Sequence, residues 1–258
     1  MMPLIAIFSG FIAGWIVNYF ADVLPTQRKF ARPVCDHCGT VRSWKDYFLL
    51  RPCQNCQQKR SRRAIIVLFV MIALSIAALI YAPPYLGYWL SFLILIYFGI
   101  VFVIDLEHRL ILHGVSLIGM VIGLVVGIVS NGIVGTFIGG AGGLLIMLAL
   151  YYFGTLFARY RARKMGRDDG EEALGFGDVI LSVVIGLMVG WPDVTTALFV
   201  AVLAGGVISV LMIIVLIAMR RFQSMNIFTA YGPYLLIGAT IVIFFPKVAA
   251  FLMGRIAR

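Results

Sequence analysis

Charge is scarce in this chain. Only 12% of its 258 residues are Asp, Glu, Lys or Arg, while 62% are hydrophobic. A soluble domain could not cover its surface with so few polar groups, so the soluble classes are excluded. Regular alternation of apolar and polar residues is also lacking, which argues against a β-barrel. There is no low-complexity tract and no convincing internal repeat. No basic segment precedes the first apolar run, so Met1 to Phe20 reads as a retained helix rather than a cleaved signal peptide. What the chain does have is apolar runs long enough to cross a bilayer, about twenty residues each, from end to end. The fold class is therefore all-α: a polytopic membrane protein of about eight transmembrane helices, read as a single membrane domain over residues 1–258.

The expected spans are Met1 to Phe20, Ala64 to Tyr81, Tyr85 to Ile104, Val115 to Ser130, Val134 to Phe157, a short one from Val179 to Gly190, Thr195 to Met219, and Tyr231 to Met253. Pro83-Pro84 and Asn131-Gly132 turn the chain between spans. Pro246-Lys247 interrupts the last. Gly10 and Gly14 in the first span suit close helix packing.

The net charge of +10 points to loops on one side of a membrane rather than to nucleic acid, because Lys and Arg collect in cytoplasmic loops. Loops after the odd-numbered spans hold 18 of the 21 Lys and Arg residues. That asymmetry sets these loops in the cytoplasm and both termini outside.

One of these loops, an insertion over residues 21–63, carries all four cysteines. Cys35 and Cys38 form one Cys-x2-Cys pair, and Cys53 and Cys56 form another, fourteen residues on. Each pair can grip one edge of a tetrahedron, and four thiolates with no open position suit structural Zn²⁺. Disulfides are the competing reading, disfavoured in a reducing cytosol. A short loop with few apolar residues needs such a staple.

Two of the eleven acidic residues stand apart. Asp105 directly follows one apolar run and Asp178 directly precedes another. The topology puts both at the cytoplasmic edge. Close carboxylates share a proton, so one can act as base toward water while the other polarises a carbonyl. Two aspartates solvated separately by headgroup water are the alternative. Gly175 and Gly177 beside Asp178 favour the catalytic reading, because a protease must hold its substrate extended and glycines permit an irregular backbone. Gly175, Gly177 and Glu107 are candidate substrate-binding positions.

These features together resemble the bacterial type IV prepilin peptidases, membrane aspartyl proteases of the Gly-x-Gly-Asp class. The resemblance rests on Gly14-x3-Asn18 with Pro25, on the paired Cys-x2-Cys loop with Arg42-Ser43-Trp44 inside it, on Phe102 to Ile111 around Asp105, on Gly175 to Val179, and on Tyr231-Gly232-Pro233-Tyr234. Two positions depart from the family pattern. Ile180 stands where a Lys is usual, and His113-Gly114 where a Pro is usual. The resemblance implies cleavage of a basic leader from prepilins or pseudopilins, at the cytoplasmic face of a bacterial inner membrane, with Asp105 and Asp178 as catalytic pair. By resemblance alone it also implies S-adenosylmethionine-dependent N-methylation of the new N-terminus. The chain has no glycine-rich strand-turn-helix to cradle such a cofactor. The acidic run Asp168, Asp169, Glu171, Glu172 could attract a basic leader, or could be a solvated loop that offsets the preceding Arg and Lys. Prepilin substrates and the lipid bilayer are the expected partners, and nucleic acid is not. The rival classes are a non-catalytic zinc-bearing membrane assembly factor and a proton-coupled transporter.

Overall fold

A run of Leu, Ile, Val and Phe in a bilayer has no water for its backbone, so it closes its N–H and C=O groups internally as a helix. The computed structural model describes residues 2–35, 37–165, 175–218 and 230–252. Within them are α1 (Met2–Gln27), α2 (Trp44–Phe48), α3 (Arg62–Tyr81), α4 (Gly87–His108), α5 (His113–Met165), α6 (Phe176–Val189), α7 (Asp193–Ala218), α8 (Gly232–Phe244) and α9 (Pro246–Leu252). Among the described residues the β pairing is a single bridge, Val34 with Val41. The acidic run 168–172 and Arg220-Arg221 lie outside the described residues. The chain forms two compact units, Met1–Leu112 and His113–Arg258.

The first unit is built on α1 and α3, which run antiparallel. A methyl added at Gly10 would meet the Ile72 Cα at 2.6 Å, and one added at Gly14 the Leu68 Cα at 2.9 Å. One turn further, Asn18 Nδ2 donates to the Ala64 carbonyl at 3.0 Å. Positions 10, 14 and 18 lie on one helix face and meet 72, 68 and 64 in turn. Two small residues bring the backbones together, and an amide ties the end. At the other end Ser9, Ser75 and Tyr88 close a ring of hydroxyls at 2.6–3.2 Å. This ring pins α1, α3 and the start of α4.

The second unit is built on α5 and α6. Helix α5 breaks at Gly132, where φ 70 and ψ 172 are non-helical. Its two arms fold back: a methyl at Gly127 would meet the Thr136 side chain at 2.8 Å. In a straight helix nine residues would hold these positions about 13 Å apart. Helix α6 packs on both arms through glycine. Added methyls would lie 2.0 Å from the Leu187 carbonyl oxygen at Gly127, 2.4 Å from that of Gly186 at Gly139, and 2.4 Å from that of Ser182 at Gly143. No side chain fits there. In the same way Gly238 of α8 lies on α7, where a methyl would be 2.1 Å from the Ala197 carbonyl oxygen.

Among the described residues, five helices are long and apolar enough to span a membrane: α1, α3, α4, α7 and the 48 residues His113–Tyr160 of α5. Helices α8 and α9 form a sixth segment bent by 110° at Phe245, and α6 is a shorter apolar helix. Among the described residues this makes five or six spanning segments, against about eight expected from the sequence, with α5 taken as one helix although Gly132 breaks it. The chain is an all-helical, multi-pass membrane protein.

Candidate active site and metal centre

Asp105 sits in the last turn of α4 and is 4% exposed. Its carbonyl accepts the Arg109 N–H at 2.9 Å. Arg109 then takes the left-handed conformation, φ 52, which stops the helix.

Asp178 lies in the second unit, in the first turn of α6, and is 7% exposed. Gly175 caps that helix in an extended conformation, φ −75 and ψ 141. Asp178 donates its N–H to the Gly175 carbonyl at 3.0 Å. Its carboxylate folds back toward the cap, so that a methyl on Gly175 would be 3.4 Å from Asp178 Oδ2. A carboxylate in a first turn is favoured by the helix N-terminus. This explains a difference from expectation. The irregular backbone foreseen over Gly175 to Asp178 is confined, among the described residues, to Gly175, because helix α6 already includes Phe176, Gly177 and Asp178.

Glu107 is two residues beyond Asp105. Its Oε1 lies 3.1 Å from Arg63 Nε, and Arg63 also donates to Asp22 Oδ1. The other oxygen of Asp22 accepts from Arg60 at 2.5 Å and from the Tyr47 hydroxyl at 2.6 Å. Arg60 stacks 3.7 Å over the Tyr47 ring. The end of α1, the loop helix α2, the start of α3 and the end of α4 therefore share one network. The loop charge count expects these ends on one side, and here they meet.

The four cysteines come together. Their sulfurs all lie within 4.8 Å of one another, Cys35 to Cys56 at 3.7 Å and Cys38 to Cys53 at 3.6 Å, with none disulfide-bonded. A tetrahedron with metal–sulfur bonds of about 2.3 Å has edges of about 3.8 Å, so the set fits a metal ion. Each pair sits in the same turn. The N–H of Cys35 donates to the Thr40 carbonyl and that of Cys53 to the Gln58 carbonyl. Gly39 and Gln57 donate back to the carbonyls of Cys35 and Cys53. The Cys38 backbone N–H, against the opposing effect of burial, brings the Cys35 thiol down to about 5.

The model of the type IV leader peptidase family matches residues 90–210. The resemblance read from the sequence is borne out. The matched segment contains Asp105, Glu107, Gly175, Gly177 and Asp178. The chain is also 27% identical over 235 residues to the "Prepilin leader peptidase/N-methyltransferase" of Aeromonas hydrophila, covering 86% of this chain and 74% of that protein. No solved structure gives a significant match. Both likenesses are to leader peptidases.

Asp22 is the residue that motif reasoning passes over. It stands at the edge of the first apolar run just as Asp105 stands at the edge of the third, and that was the available signal. Its partners distinguish it. Two guanidinium groups and a phenol hold Asp22, which makes it the joint between the cysteine loop and the helix ends.

Proposed function

We propose that this chain cleaves the basic leader from type IV prepilins or pseudopilins with Asp105 and Asp178 as an aspartyl pair. The observation that carries the reading is that both fall inside the segment matched to leader peptidases and both are buried at helix ends beside charged loops. A buried carboxylate at a membrane edge is costly and is kept where it has a task. One carboxylate takes a proton from the attacking water while the other, protonated, polarises the scissile carbonyl. Gly175 gives an extended backbone against which a substrate strand can hydrogen-bond, and Glu107 offers a negative charge to a basic leader. The charge asymmetry of the loops supports the cytoplasmic face of the inner membrane as the place of this chemistry.

The metal in the four-thiolate site is Zn²⁺ in this reading, and its part is structural, since four protein ligands leave no position for water. N-methylation rests on the name of the Aeromonas hydrophila relative. Cleavage of a purified pilin precursor tests the proposal, with the N-terminus of the product examined for a methyl group. Asp105→Asn and Asp178→Asn should each lower the cleavage rate by at least about 10²-fold. Retained cleavage in either variant rejects the pair.

A further inference from the structure

The loop that holds the cysteines does not simply stand away from the membrane. Helix α2 runs back along α1. The Trp44 ring is 5.6 Å from Tyr19, and the Phe48 ring is 5.2 Å from Trp15. The Tyr47 ring lies 5.9 Å from Trp15 while its hydroxyl reaches Asp22. Asp22 is the first charged residue of the chain. Trp15 precedes it by seven residues, about 10 Å along a helix. The α2 helix therefore covers the last two turns of the apolar part of α1.

Its faces differ. Tyr47 is 2% exposed, against α1, whereas Trp44 (41%), Phe48 (48%) and Leu49 (62%) are open on the outer side. Trp44 and Phe48 stack at 5.9 Å with 21° between their planes. A second arm repeats the arrangement. The Tyr19 hydroxyl donates to the Ala31 carbonyl at 3.0 Å, and exposed Phe30 meets Phe20 at 5.8 Å. Exposed cations border both arms: Arg28, Lys29 and Arg32 around Phe30, and Lys45 on α2. The carboxylates of Asp22 and Asp46 are engaged within the loop.

We propose that α2 and Phe30 are seated in the bilayer, with Trp44, Phe48, Leu49 and Phe30 at the headgroup–acyl boundary and the flanking cations on anionic lipid headgroups. Depth decides between lipid and a protein partner. The outer face of α2 continues the exposed apolar face of α1 at Phe11, Ile12 and Ile16, which in a membrane protein faces lipid. Aromatic rings at the boundary with cations around them are the composition that an anionic leaflet holds. The cysteine loop is thus moored to the membrane plane at the end of the unit where Glu107 and Arg63 meet.

Fluorescence quenching in the full-length protein tests this. The chain has four tryptophans, so the emission of Trp44 is obtained as the difference between the protein and Trp44→Phe. Both are placed in nanodiscs of phosphatidylcholine and phosphatidylglycerol, with or without bromine on the upper acyl chain. Bromolipid should quench the Trp44 emission at least about twofold more than aqueous acrylamide does. The same order is expected for the indole introduced by Leu49→Trp in the Trp44→Phe background. Metal content of each variant verifies that the cysteine loop is folded. Stronger quenching by acrylamide than by bromolipid at both positions overturns the proposal.

Discussion

Arg63 Nε lies 3.1 Å from Glu107 Oε1, and the same guanidinium donates to Asp22. Through this one side chain the first turn of α3 joins the end of α1 to the end of α4, two residues past Asp105. The partners differ in burial. The Asp22 side chain is 17% exposed and that of Glu107 37%. Removing the more buried charge takes the shared carboxylate from two guanidinium groups, whereas removing the other leaves Arg63 its main partner. Asp22→Asn is expected to cost roughly 2–4 kcal/mol, and Glu107→Gln no more than about 1 kcal/mol. Thermal unfolding in one detergent measures both. Equal losses would show that the network is not centred on Asp22.

Glu107 has a second readout. If it meets a basic leader, Glu107→Gln should raise KM for a basic precursor at nearly unchanged melting temperature. It should leave KM almost unchanged for a precursor with fewer leader charges. A uniform fall in kcat for both precursors would instead make Glu107 a support for the end of α4.

The glycines of the second unit separate packing from propensity. A methyl at Gly127 would sit 2.0 Å from a carbonyl oxygen, but Gly206 in α7 has open space around it. Gly127→Ala is therefore expected to destabilise by at least about 1–3 kcal/mol, the ordinary cost of overpacking. Gly206→Ala should be neutral or stabilise by up to about 1 kcal/mol through helix propensity. Melting temperatures of the two variants decide, and similar values would mean that the α5–α6 approach is looser than the geometry describes.

The sequence made most of this architecture legible because hydrocarbon runs, turn residues and loop charge each act locally. The Asn131-Gly132 break in α5 and the Pro83-Pro84 turn were readable for that reason. So was a close-packing face of α1 at Gly10 and Gly14, since four-residue spacing fixes a helix face, though not that α3 meets it. Other features depend on what lies across from a residue. Nothing near Gly139 in the chain announces the Gly186 carbonyl against it. Nothing in the string Trp44 to Phe48 says that it returns along α1 at the depth of Trp15. Asp22 and Asp105 look alike as sequence, each at the end of an apolar run. Their difference arises from Arg60 and Arg63, some forty residues after Asp22, which fold back to hold it. The start of α6 at Phe176 is hidden in the same way, because two glycines suggest a loop where the carboxylate of Asp178 favours a helix N-terminus.

The cysteine cluster should behave as a closed structural site. If the proposed Zn²⁺ is bound, Cys53→Ser removes a buried ligand and is expected to lower the metal content from about one ion per chain toward none. Because binding and folding of a small metal site are one process, the same change should open residues 28–60 to proteolysis while α4 to α8 stay protected. Metal analysis together with mapped cleavage sites tests this. Full zinc loss with an unchanged cleavage pattern would show that the Tyr47–Asp22–Arg60 contacts hold the loop without the ion.

The two cysteine turns also allow a comparison inside one molecule. Gly39 and Gln57 hold the same place, four residues after the first cysteine of each pair, and both donate to that cysteine's carbonyl. Their backbones are alike, φ 68 and φ 55. Glycine adopts this conformation freely, while a residue with a Cβ is strained by about 1 kcal/mol or more. Nothing lies within 4 Å of a methyl placed on Gly39, so backbone preference alone separates the two turns. Gln57→Gly is expected to slow transfer of zinc to a coloured chelator by about fivefold, and Gly39→Gln to speed it by a similar factor, since 1 kcal/mol corresponds to that ratio. Opposite shifts of this kind would assign metal retention to the turns themselves. Equal rates in both variants and the parent would place the rate-limiting step elsewhere, in the opening of the α2 contacts with α1.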